Sequence, residues 1–265
     1  MTPVGSAVFG DLLRAIGPYL DDVVFVGGWV HALYVWEVEG RSARVIRTAD
    51  IDVTLAATLQ AGDRPDLMDL LKAGGFEVQA FPEPGGFEIS KDSIDVDLLA
   101  EAPSPRVPVE IEGQGGLRVF GYPHQALLRE NTRKMAVGPE MDDALPWAEV
   151  LVPILPAYAI GKLLSSSERS RPAKRAKDLA YLSDLMARDS LRATILDGLP
   201  KLLDAYPDEA ALAANWLDSA LSNEQLLKEV AAQVIEASGF QIDDDATVRA
   251  EVKARLSRLL HEGLS

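Results

Sequence analysis

The sequence predicts an α/β region followed by an all-helical region. Three observations predict it. Up to about residue 150, short apolar runs of strand length alternate with segments of helical periodicity, punctuated by Gly and Pro. After Pro153 and Pro156 the periodicity is helical only. Within the first region, two strand-like stretches each carry carboxylates at i and i+2, Asp50 with Asp52 and Asp95 with Asp97. The expected domains are residues 1–150 and 151–265.

Taken in order, Ser6 to Ile16 spaces Val8, Phe9, Leu12, Leu13 and Ile16 as one helical face, ended by Pro18 and Asp21-Asp22. Val23 to Val26 is a continuous apolar run that suits a central strand. It enters a Gly27-Gly28 corner, and Trp29 to Trp36 suits a helix packed behind that corner. Glu37 to Arg47 is polar, holds Arg41, Arg44 and Arg47, and reads as a loop over the candidate site. Asp50 to Leu55 is the second strand, and Pro65 to Ala73 a helix stopped by Gly74-Gly75. Phe76 to Phe81 and Phe87 to Ser90 form a strand pair broken by Pro82, Pro84, Gly85 and Gly86. Ser93 to Leu99 is the strand with the second carboxylate pair. Glu110 to Phe120 reads as a hairpin around Gly113–Gly116, His124 to Glu130 as a short helix, and Pro139 to Trp147 as a loop. In the helical region, Ala157 to Ser167 and Pro172 to Arg188 are helices, and Glu224 to Ala237 and Thr247 to Leu260 are the clearest of those that follow. There is no internal repeat and no low-complexity tract.

Composition narrows the function classes. The chain has 265 residues and is 48% hydrophobic, enough for a sizeable core. It has no cysteine, which excludes disulfides, thiolate metal sites and a cysteine nucleophile. Its 3 histidines make a multi-histidine metal site a poor expectation. No apolar run reaches the roughly 18 residues that span a membrane, and the N-terminus lacks the pattern of a signal peptide. A cytoplasmic protein with no membrane partner is expected. With 26 Lys+Arg against 41 Asp+Glu, the net charge of −15 disfavours non-specific nucleic-acid binding, which rests on phosphate neutralisation.

The residues that carry chemistry begin with Asp50 and Asp52. Side chains at i and i+2 of a strand share a face, so these carboxylates project together while Ile51 and Val53 go to the other side. They repel one another unless a cation lies between them, and a divalent ion with oxygen ligands is the usual cation. A third carboxylate, Asp95 or Asp97, would complete a set able to hold one or two Mg²⁺. An isolated D-x-D is more often a solvated strand face. A second such strand and an upstream Gly-Gly corner reverse that expectation here. Gly27 and Gly28 let backbone approach a ligand and present amides at a helix N-terminus, which suits phosphate. Lys162 and Arg169 are seven residues apart, on one face if the helix persists. They lead a basic run of Arg169, Arg171, Lys174, Arg175 and Lys177, either a solvated helix end or a clamp on an anion. Asp178 would tie those cations down or act in the site. His31 and His124 are expected to be structural, and Trp29 and Trp36 to lie in the core.

Taken together, Gly27-Gly28, Arg47-Thr48-x-Asp50-x-Asp52 and an apolar strand ending Asp97-Leu98-Leu99 resemble the nucleotidyltransferase superfamily of the DNA polymerase β type. Lys162, Arg169 and Lys177-Asp178 resemble its branch of abortive-infection toxin nucleotidyltransferases. The resemblance covers residues 23 to about 185. It implies a small mixed sheet flanked by helices, with Asp50, Asp52 and Asp97 as catalytic and metal residues. It also implies two Mg²⁺, an NTP donor and release of pyrophosphate. Gly27, Gly28, Arg47, Thr48, Lys162, Arg169, Lys177 and Asp178 are the implied substrate-binding positions. Many members have Ser after the first Gly. Gly28 and Trp29 stand here instead, leaving backbone amides for the phosphate. Asp97 is chosen over Asp95 for two reasons: it precedes Leu98-Leu99, and it sits nearer the C-terminal end of its strand, which favours it if the two acidic strands are parallel.

The expected activity is Mg²⁺-dependent transfer of an NMP from an NTP to a hydroxyl acceptor on a tRNA, a protein or a small molecule. A toxin role would add an antitoxin partner. The alternative is a non-catalytic nucleotide- or partner-binding module that kept the fold.

Overall fold

The computed structural model describes residues 5–46, 48, 50–80, 86–238 and 245–264. It resolves into two compact units, one of residues 1–43 and 47–153, the other of residues 44–46 and 154–265.

The first unit is built on a mixed sheet of nine strands among the described residues. Helix α1 (Ser6–Ala15) precedes strand β1 (Val24–Val26), which runs into α2 (Gly27–Glu39). Then come β2 (Asp50–Leu55), α3 (Leu67–Ala73), β3 (Glu77–Ala80), β4 (Phe87–Lys91) and β5 (Ile94–Glu101). The unit closes with β6 (Val107–Glu110), β7 (Arg118–Tyr122), α4 (Gln125–Glu130), β8 (Thr132–Val137) and β9 (Ala148–Pro153). The strand order is β3-β4-β5-β2-β1-β9-β8, with the β6–β7 hairpin joined through β7 to β5.

The register fixes which residues share a face. β1 is antiparallel to β2, with Phe25 opposite Val53 and Val26 opposite Asp52. β2 is parallel to β5, with Asp50 opposite Asp95, Asp52 opposite Asp97 and Val53 opposite Leu98. Phe25, Ile51, Val53, Val96 and Leu98 therefore form one buried face. There Phe25 meets Phe9 of α1 edge-on at 5.3 Å, and Phe9 stacks on Trp29 of α2 at 4.4 Å. The opposite face carries the carboxylates. Along β2 it passes from half-buried Asp50 and Asp52 to fully buried Thr54, so this face opens only at the start of the strand.

A second feature of the sheet bears on Asp97. On the side away from β2, β4 pairs with β5 at Ile94 and Asp95, and β7 pairs with it from Leu99 to Glu101. Val96 to Leu98 lies between these two ladders, with β2 as the strand partner. β4 and β5 are joined by a tight turn with Asp92 and Ser93 both at positive φ, as a two-residue type I′ turn requires.

The β8–β9 hairpin is not marked by the sequence periodicity. Thr132 to Val137 alternates weakly because Arg133 and Lys134 interrupt it, and only Met135 and Val137 are core residues on that strand. The hairpin completes the sheet beside β1, where Val24 lies opposite Leu151. It is tied to α2 by Tyr34. The Tyr34 hydroxyl donates to the Pro153 carbonyl at 2.7 Å and accepts from Arg133 Nε at 3.2 Å, while Arg133 also pairs with Glu37. Burial pushes the Tyr34 phenol above its ordinary pKa.

The second unit is helical, as expected: α5 (Leu155–Glu168), α6 (Pro172–Ala187), α7 (Asp189–Ala205), α8 (Pro207–Leu221), α9 (Glu224–Ser238) and α10 (Asp245–Arg258), then a π-helical turn over Leu259–Gly263. α5 packs on α6, α7 and α8, and α6 on α9 and α10. Leu163, Leu179, Leu182, Ile195, Leu199, Leu217 and Leu227 are its buried centre. Among the described residues no helix is long and apolar enough to cross a membrane.

Candidate active site

Asp50, Asp52 and Asp97 come together at one end of the first unit's sheet. Each offers a carboxylate oxygen, and the three oxygens lie within 4.8 Å of one another. Two physical causes bring them there. The parallel register sets Asp97 beside Asp52, and the i, i+2 alternation puts Asp50 on the same face. Asp50 and Asp52 are half-buried and Asp97 is exposed, so Asp97 is the member of the group turned most to solvent. Asp95 lies opposite Asp50 in the ladder and is exposed, outside the group of three.

The two acidic strands are parallel, and Asp97 lies two residues nearer the C-terminal end of β5 than Asp95. β5 continues to Glu101, so Asp97 still falls in its first half, and Asp50 opens β2. The strand that ends at the site is β1, because it runs antiparallel to β2 and delivers Val26 beside Asp52.

Gly27 is the first residue of α2, and its φ is +71°, a conformation that favours glycine. A Cβ at this position would stand 1.8 Å from Asp52 Oδ2, 2.6 Å from its Cγ and 2.9 Å from its Cβ. The last distance means that rotating the Asp52 side chain would not relieve the overlap. Gly27 is thus required both by its backbone angle and by the closeness of the carboxylate. Gly28 follows in the first turn of α2, whose N-cap, Val26, supplies no side-chain cap and whose first turn holds no acidic residue. Backbone amides at such a helix start suit an anion.

Thr48, expected to touch substrate, is buried, and its hydroxyl donates to Asp50 Oδ1 at 2.8 Å. Arg47 lies outside the described residues. The loop before it is not free of structure. Arg41 pairs with Asp143 at 2.6 Å, and the Arg44 carbonyl accepts from Arg188 Nη2 at 3.2 Å.

The remaining expected positions lie in the second unit. Lys162 is buried, with its ammonium 2.9 Å from Asp178 Oδ1 and over the rings of Tyr158 and Tyr181 at 5.6 and 5.0 Å. Arg169 Nε lies 3.4 Å from the other Asp178 oxygen. Lys177 Nζ sits 5.9 Å from the centre of the Tyr181 ring. Helix α5 ends at Glu168 and Arg169 is extended, so Lys162 and Arg169 do not share a helical face. They meet because both reach Asp178. With side chains 9% and 5% exposed, Lys162 and Asp178 form a buried ion pair rather than a solvated helix end.

The chemistry of the donor set fits a hard divalent cation. Three carboxylates supply oxygen ligands and negative charge, the combination Mg²⁺ takes with the phosphates of a bound nucleotide. The geometry also predicts the effect of a minimal change. Gly27→Ala must displace Asp52 or the β1–α2 corner, at a cost of about 1–3 kcal/mol. A fall in thermal midpoint is expected. A variant that melts like the native chain would contradict the close approach.

Searches of curated proteins and of solved structures return no match. The family model described as Nucleotidyltransferase matches residues 6–192, more than half of the chain. That span takes in the sheet, the three carboxylates, the Gly-Gly corner and the Lys162–Asp178 pair. The chain belongs to this nucleotidyltransferase family.

Proposed function

We propose that the protein is a Mg²⁺-dependent nucleotidyltransferase that moves an NMP from an NTP to a hydroxyl acceptor and releases pyrophosphate. The observation that carries the reading is the convergence of Asp50, Asp52 and Asp97 beside the start of α2. Asp50 and Asp52 would hold both of two metal ions and Asp97 the second. Bound there, the ions would supply the neutralisation of triphosphate charge that this class of transfer requires.

The chain's own residues do the rest. The amides of Gly27 and Gly28 would face phosphate oxygens at the start of α2. Asp97 would take the proton of the acceptor hydroxyl at a carboxylate oxygen, in keeping with its exposure. The acceptor oxygen bonds to the α-phosphorus as the bond to pyrophosphate breaks, and the electron pair leaves with pyrophosphate. Arg47, Lys162, Arg169 and Lys177 would answer the triphosphate charge, with Asp178 holding Lys162 and Arg169 in place. We propose residues 1–150 as the nucleotidyltransferase domain and residues 151–265 as a helical C-terminal domain. The acceptor is a hydroxyl of a tRNA, a protein or a small molecule. A toxin paired with an antitoxin is the form this activity takes in the branch that the Lys162–Asp178 segment resembles.

The test is to add the protein to a cell lysate with each α-³²P-labelled NTP and Mg²⁺. A labelled acceptor and released pyrophosphate are expected. Asp50→Asn, Asp52→Asn and Asp97→Asn should each remove turnover, whereas Asp95→Asn should only reduce it. Full activity in Asp50→Asn or Asp52→Asn contradicts the metal assignment, and greater severity at Asp95 than at Asp97 reverses the choice between them. Nucleotide binding by calorimetry without any labelled acceptor favours the non-catalytic module.

A separate prediction concerns the buried cation. Lys162→Ala should weaken NTP binding by about 1.5–3 kcal/mol, the value of a hydrogen bond to a charged group. An unchanged dissociation constant, in a variant whose helical content is retained, makes Lys162 a purely structural partner of Asp178.

A further inference from the structure

Thr48 is two residues before Asp50 and only 4% exposed. Its hydroxyl has two acceptors within reach, both on Asp50: the carboxylate Oδ1 at 2.8 Å and the main-chain carbonyl at 3.2 Å. A hydroxyl donates one proton, and the shorter, charged acceptor takes it. So the side chain that the motif offers as a substrate contact is turned back onto a carboxylate of its own chain.

This matters because of what surrounds Asp50. Its neighbours in the site, Asp52 and Asp97, are both acidic, and their oxygens lie within 4.8 Å of its own. Their repulsion favours rotation of the Asp50 carboxylate away from the group. A donor held from the protein side opposes that rotation. Donation to Oδ1 fixes one oxygen and leaves the second oxygen directed by the same rotamer. Thr is well suited to this. Its χ1 is stiff because the side chain is branched at Cβ, and burial shields its hydroxyl from competing water. Hydrogen bonds to ligating groups orient them and raise cation affinity.

We infer that Thr48 is a positioning residue that preorganises Asp50 for the divalent cation, rather than a contact to the nucleotide. The inference rests on the proposed metal role of Asp50 and deepens it. Two substitutions isolate the hydroxyl. Thr48→Val keeps the shape and removes the donor, while Thr48→Ser keeps the donor and removes a methyl.

The experiment is titration of Mn²⁺ into the native chain, Thr48→Val, Thr48→Ser and Asp50→Asn, with free Mn²⁺ read by electron paramagnetic resonance in the absence of nucleotide. Thr48→Val should weaken Mn²⁺ binding about three- to tenfold, the equivalent of one hydrogen bond, with Thr48→Ser close to the native chain. Asp50→Asn should weaken it more than either. Native-like binding by Thr48→Val, when Asp50→Asn has lost it, overturns the inference alone and leaves the metal reading standing. Native-like binding by Asp50→Asn overturns the metal reading and the inference together. Weakening in Thr48→Ser equal to that in Thr48→Val also overturns the inference, because the methyl and not the hydroxyl would then be what Asp50 needs. Melting curves of the two Thr48 variants, each expected to show one cooperative transition well above the titration temperature, show that the comparison is between folded proteins.

Discussion

Everything at this site depends on holding three like charges together. At 4.8 Å, the widest separation among these oxygens, two carboxylate charges repel by about 1 kcal/mol in a water-like medium and about 3.5 kcal/mol at the effective dielectric of a protein surface. No local preference of the chain would choose that arrangement. It is imposed by sheet register: Val26 opposite Asp52, Asp52 opposite Asp97, and Asp50 two residues from Asp52 on the same face. A one-residue slip of β5 against β2 would turn Asp97 to the other side of the sheet.

The apolar side of the same strands is what opposes such a slip. Ile51, Val53, Val96 and Leu98 alternate with the carboxylates and are buried beneath α1 and α2 by the Phe25–Phe9–Trp29 stack. Burying such side chains stabilises by about 1.5–3 kcal/mol each, enough in sum to outweigh the repulsion on the other face. Stability is thus concentrated on one side of the sheet and strain on the other. Gly27 joins the two, since it follows the buried strand directly and leaves the space that Asp52 occupies.

The features that position the site were largely legible in the sequence, and the reasons are physical. Strand alternation alone shows that Asp50 and Asp52 share a face, and the Gly27-Gly28 corner between an apolar run and a helix marks a close backbone approach. Other features lie beyond local pattern. Strand direction is a long-range property, so the end of the sheet at which Asp97 lies could not be read from its own strand. The β8–β9 hairpin hides because Arg133 and Lys134 break its alternation, one of them held by Tyr34 and Glu37. The Lys162–Asp178 pair connects residues on different helices across the turn after Glu168, so helical spacing misplaces Arg169. Thr48 is visible as part of a motif, but its direction toward Asp50 is set by the backbone that leads into β2.

The central claim is that this carboxylate group is unfavourable alone and favourable with a divalent cation. The direct measurement is thermal unfolding of the native chain and of Asp52→Asn, each with and without millimolar Mg²⁺ at constant ionic strength. The native chain should gain stability with Mg²⁺ as mass action requires. Asp52→Asn should melt higher than the native chain in the absence of Mg²⁺ and gain little when it is added. A native chain indifferent to Mg²⁺, or an Asp52→Asn variant that melts lower without the metal and responds to it as the native chain does, would contradict the account.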